Sequence, residues 1–78
     1  MVSSFQELDV LIREEVVASV QKSIVEYVTG HGGSADITEL IDEMVELYLI
    51  PRVDIAFALM REREVSIELI GDRVKLIA

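Results

Sequence analysis

Few residues of this chain are of types that do chemistry. There is one histidine, His31, inside the run GHGG; there are three arginines, Arg52, Arg61 and Arg63, within the stretch PRVDIAFALMRERE; and there are fifteen carboxylates against seven basic side chains. A histidine serves as ligand or base only where several groups converge on it, and alone among glycines His31 reads as a loop residue. The three neighbouring glycines could form an anion-binding nest, but the run is neither a GxGxxG nor a phosphate-loop signature, and no predicted strand precedes it. The carboxylates recur at solvent-face spacing on helices, and a chain this short hardly has room for the cleft that paired acids need for hydrolysis. With no cysteine, thiolate chemistry, disulfides and cysteine-ligated zinc all drop out. The expectation is no enzyme, no cofactor and no metal. The arginines keep one conceivable task, contact with phosphate, and its feasibility depends on the elements that carry them.

Composition bounds those elements. The 78 residues suffice for a single domain, residues 1–78, burying roughly 60% of the surface of the unfolded chain. The chain is 51% hydrophobic but 5% aromatic, so the core must be aliphatic, and apolar surface can be left over for a partner. No apolar run reaches membrane-spanning length, and MVSSFQELDV lacks the basic start and apolar centre of a signal peptide, which gives the expectation of a cytoplasmic chain with no membrane contact. The net charge of −8 opposes nucleic-acid binding by the molecule as a whole. It is unevenly spread: residues 1–50 hold two bases and ten acids, residues 51–78 five of each.

Periodicity predicts four helical stretches and a hairpin. Ser4 and Glu7 match a capping box at the start of a helical segment, residues 4–13, in which Phe5, Leu8 and Ile12 form a stripe. A helix follows over 14–29, with Val16, Val17, Val20, Ile24, Tyr27 and Val28 on one arc. After a loop at 29–36, Asp36 and Glu39 have capping-box spacing, and Ile37, Leu40, Ile41, Met44 and Tyr48 repeat through a helix at 37–49. Pro51 suits the first position of a further helix, 51–64. The last segment, 65–78, alternates about Gly71 and Asp72, a two-residue hairpin turn. Ile70 then faces Arg73, Leu69 faces Val74, Glu68 faces Lys75 and Ile67 faces Leu76. This register puts Val65, Ile67, Leu69, Val74 and Leu76 on the inner face, with Arg73 and Lys75 outside.

This order, helix, helix, tight turn, helix, two-stranded hairpin, resembles the winged helix-turn-helix family over about residues 14–78. Val53, Ala56, Phe57 and Met60 stand where that family's third helix carries its buried residues, and the hairpin stands in place of the wing. The resemblance implies an α+β fold of three core helices and a two-stranded wing, here with an additional N-terminal helical segment. Two departures are Leu49, in the turn between the second and third helices, and Glu64, before the wing, where family members often have glycine.

The resemblance also implies a DNA-contacting third helix, which a helical wheel can test. Val53, Ile55, Ala56, Phe57, Leu59 and Met60 span roughly 200 degrees, leaving Asp54, Ala58, Arg61 and Glu62 as the face for solvent or DNA. Arg52 and Arg63 stand near the two ends of the helix, where their stems can cover apolar surface. Two acids and one base make a poor reading face, so protein contact is favoured over DNA contact by Arg52, Arg61, Arg63, Arg73 and Lys75, which remains the alternative. The partner expected is a second copy or another protein. If residues 4–13 continued unbroken into the next helix, the stripe of Phe5, Leu8 and Ile12 would point away from the arc of Val16, Val20 and Ile24. Either the chain bends near residues 13–15, or a second copy buries the stripe in a homodimer.

Overall fold

Four valines and isoleucines spaced by three or four residues, Val17, Val20, Ile24 and Val28, lie on one side of a long first helix and are buried along it. In the computed structural model, which describes the backbone of residues 2–77 and the side chains of residues 13–77, this helix, α1, runs unbroken from Val2 to Gly30. The helix is not interrupted at residues 13–15, so segments 4–13 and 14–29 are one element. The side chains of Phe5, Leu8 and Ile12 lie outside the described residues. The remaining elements are β1 (Ser34–Asp36), α2 (Ile37–Tyr48), α3 (Arg52–Glu62), β2 (Ile67–Ile70) and β3 (Arg73–Leu76). The described residues are thus α+β, with three helices and a three-stranded antiparallel sheet in the order β1-β3-β2.

The third strand corrects the expectation of a two-stranded hairpin following a loop at 29–36. After α1, Gly32 and Gly33 adopt φ of 77° and 92°, conformations that glycine enters without a Cβ clash. The Gly33 N–H reaches back to the Val28 carbonyl at 2.9 Å. The chain is thereby turned beside β3, where Ser34, Ala35 and Asp36 pair with Lys75, Val74 and Arg73. The hairpin has the expected register, Ile67 with Leu76 through Ile70 with Arg73. Gly71 carries the turn at φ 60°. Ile67 and Val74 are fully buried, Leu69 and Leu76 pack on the core, and Arg73 and Lys75 are exposed. Val65 is 71% exposed, contrary to the inner-face expectation. Its N–H and that of Ser66 both donate to the Glu62 carbonyl, at 3.0 and 3.2 Å, so a turn occupies these residues before the strand begins.

The ends of α2 are closed by short local interactions. The Asp36 carboxylate accepts from the Glu39 N–H at 3.0 Å, while the Ile37 N–H donates to the Asp72 carbonyl at 2.9 Å, fastening the start of α2 to the hairpin turn. At the other end Leu49 sits in the left-handed region, φ 55°, and its N–H donates to Val45. Glu64, between α3 and β2, has φ 70° and donates to the Ile67 carbonyl at 2.8 Å. Among the described residues Leu49 and Glu64 are the positive-φ residues other than glycine, one on each side of α3. The core joins α1 to Ala35, Leu40, Met44, Ile55, Ala58, Leu59, Ile67 and Val74, and among the described residues no polar or charged side chain is fully buried.

Candidate interaction surface

α3 carries the arginines that raised the question of DNA, and its orientation decides what they can touch. Pro51 precedes the helix, and the Asp54 N–H closes the first turn onto the Pro51 carbonyl at 3.0 Å. The residues facing the core are Ile55, Ala58 and Leu59. Ala58 is 0% exposed; lacking any atom beyond Cβ, it lets α3 lie close against its neighbours. Farther along the same side, Glu62 accepts a hydrogen bond from the Gln21 amide at 2.9 Å through one carboxylate oxygen. Its other oxygen is buried without a partner among the described residues. Both residues line a shallow cleft of about 430 Å³, together with Ala18, Lys22, Val25, Glu26 and Ser66.

This arrangement turns the expected helix round. Val53, Phe57 and Met60, expected in the core, are 70%, 47% and 51% exposed, whereas Ala58, assigned to the outer face, is buried. On the wheel the exposed three lie roughly 180° from the buried three. The outer face of α3 is therefore apolar, and Leu49 in the turn before it is 86% exposed. The signal for this lay in the breadth of the apolar arc. An arc of roughly 200° is about twice what a single packing contact uses, so it fits two opposed faces better than one.

The basic side chains proposed for phosphate contact are not brought into one patch of free charge. Arg61 pairs with Glu14 of α1 at 2.7 Å, and Arg52 pairs with Asp42 of α2. Arg13 of α1 pairs with Asp54 at 3.2 Å. The guanidinium carbons of Arg13 and Arg61 stand 6.0 and 5.7 Å from the Phe57 ring centre, so two cations border the ring from the charged side of the helix. On the sheet, Arg73 donates to the Ser34 hydroxyl at 2.9 Å and lies across from Asp36, while Lys75 lies across from Glu68. Arg63 is exposed just past the end of α3.

Elsewhere polar groups act within the fold. The Tyr48 hydroxyl meets the Ser23 hydroxyl and donates to the Ser19 carbonyl at 3.1 Å, joining the end of α2 to α1. His31 is exposed, its ring stacked on Tyr27 at 4.1 Å and its Nδ1 2.8 Å from the Tyr27 carbonyl. Burial, then the carboxylates of Glu39, Glu43 and Asp36, raise the Tyr27 phenol above its ordinary pKa. Among the described residues no three acidic or histidine side chains gather closely enough to hold a metal ion, and no helix is long and apolar enough to cross a membrane. No known protein family, curated protein or solved structure matches the chain.

Proposed function

We propose that this chain is a non-enzymatic, winged-helix-like module that works by protein–protein contact, self-association above all, as part of a regulator. The observation carrying this reading is the outer face of α3, where a DNA-reading winged helix would need donors for bases and phosphates and where this helix has Val53, Phe57 and Met60. Such side chains leave water favourably against another apolar surface. The ion pairs of Arg52 and Arg61 are exposed and individually weak, so they do not by themselves prevent phosphate contact. Together with Asp36 opposite Arg73 and Glu68 opposite Lys75, however, they set an acid beside four of the five basic side chains of residues 51–78 on an already acidic molecule.

Salt separates protein contact from DNA contact. Two copies of net charge −8 repel each other, so screening should leave self-association undiminished or strengthen it, whereas DNA binding weakens steeply as salt rises. Light scattering across a concentration series at low and high salt should give a mass that doubles with concentration at both. Titration with duplex DNA at low salt should show only weak binding. A chain that stays monomeric at every concentration, yet binds DNA tightly at low salt and loses that binding in an Arg61→Ala, Arg63→Ala variant, would transfer the function to the alternative.

A further inference from the structure

Resting on the self-association reading, we infer that two copies meet through the outer faces of their α3 helices, paired antiparallel across a two-fold axis, with the Phe57 ring of each copy seated against the partner's Ala56. The occupant of this face is thus a second copy of the chain.

The shape of the face is complementary to itself. Val53, Phe57 and Met60 are exposed. On a wheel Phe57 lies roughly 30° to one side of their midline, and the half-buried Ala56 roughly 70° to the other. Phe57 is on the side of α1, whose Arg13 borders the ring. Ala56 is on the side of α2, whose Asp42 holds Arg52. A bulky ring therefore stands beside a notch one side chain wide. A two-fold axis through the face brings the partner's ring to the side of the notch, and ring meets notch twice, as an isologous contact requires. With Val53 level with the partner's Met60, Phe57 comes level with the partner's Ala56. The two Phe57 rings are then displaced by about 1.5 Å along the helices, in keeping with the offset that aromatic pairs prefer.

Charge selects both the occupant and the direction. The ion pairs Arg13–Asp54, Arg61–Glu14 and Arg52–Asp42 stand around α3, and Arg63 and Glu64 are exposed just past its end. Four of the seven bases are thereby matched by four of the fifteen acids, and the other three bases and eleven acids carry the whole net charge of −8. A second copy is repelled by acidic surface of this chain and can approach most closely where there is no net charge. Laid parallel, Arg61 and Arg63 of both copies would crowd at one end of the pair. Laid antiparallel, they separate, and Arg63, on the Ala56 side of the face, falls about one turn from the level of the partner's Asp54. Three apolar side chains from each copy make a small interface, of the size that gives association dependent on concentration.

Wild-type protein assembled from isotope-labelled and unlabelled copies should give isotope-filtered NOEs between the Phe57 ring of one copy and the Ala56 methyl of the other. Disulfides test the direction, since the chain has no cysteine of its own. Val53→Cys and Met60→Cys chains of native helix content, mixed and oxidised, should give a covalent species of about twice the 8.7 kDa chain mass. Neither variant alone should give it, because like positions stand roughly 10 Å apart along the antiparallel pair and a disulfide needs Cβ atoms within about 4.5 Å. A mass that doubles by light scattering without the NOEs and without the mixed disulfide would move self-association to another surface, overturning this pairing and leaving the proposed function. Disulfides in each variant alone would make the pairing parallel and overturn it likewise. A wild-type chain that stays monomeric at every concentration would overturn both.

Discussion

α2 and α3 differ by one residue in length, 12 against 11, and both pack against α1, yet they treat their outer sides in opposite ways. α2 buries Leu40 and Met44 and gives water Glu39, Asp42, Glu43 and Glu46, with Leu47 as an apolar exception. α3 buries Ile55, Ala58 and Leu59 and gives water Val53, Phe57 and Met60. For α2 the pattern of the sequence is nearly two-valued, and its orientation follows from burial of the apolar side. For α3 either side could serve the core on hydrophobicity alone, so the neighbours decide. The small Ala58 suits close approach to other elements, and the bulkier Phe57 and Met60 are left outside. A helix of the second kind has surface that folding does not use, and the function proposed for this chain draws on that surface.

The largest effect should come from neighbouring positions of α3. Ala58→Asp places a charge in the core and should cost several kcal/mol, unfolding a domain whose total stability is on the order of 5 kcal/mol. Phe57→Asp, one residue earlier, should leave a folded chain that no longer associates. Circular dichroism with light scattering on the same samples checks both, and a folded Ala58→Asp chain would show the orientation of α3 to be wrong. A smaller effect belongs to α2, whose first turn depends on the Asp36 carboxylate: Asp36→Ala should lower stability by about 1 kcal/mol in urea unfolding without changing association. The smallest concerns the junction between the two helices. Leu49 holds a left-handed conformation that disfavours L-residues by roughly 1–2 kcal/mol, part of which glycine returns in unfolded-chain entropy. Leu49→Gly should therefore raise the urea midpoint slightly, and a fall would mean that the Leu49 side chain contributes contacts its exposure does not suggest.

Some of this fold was legible in the residues because the deciding interactions are local. The hairpin register follows from alternation around Gly71 and Asp72, and the start of α2 from Asp36 three residues before Glu39. What escaped reading depends on distant partners. β1 is three residues with no period of its own, and it becomes a strand only because β3, nearly forty residues later, offers it a free edge. Val65 continues the inward alternation in sequence, but the turn set by Glu64 removes it from the ladder. The face of α3 depends on distant partners for the same reason: its apolar residues admit two orientations, and Gln21 meeting Glu62 from α1, with Ala58 in the core, belongs to the one realised. The arginines are legible in the sequence, whereas their acidic partners Glu14 and Asp42 come from how α1 and α2 pack beside α3, which no local pattern specifies.

The strand order β1-β3-β2 places the latest strand in sequence at the centre of the sheet. β1 and β2 are not neighbours, so neither has a ladder until residues 73–76 are present. During synthesis the helices can form and pack as they emerge, but Ala35 and Ile67 lack their strand partners until residues 73–76 are made. Closing the sheet then pairs residues 34–36 with 73–75, a contact whose long intervening loop makes it slow relative to helix formation. The sheet thus closes only when β3 enters between β1 and β2, after the helices that form most of the core are already in the chain.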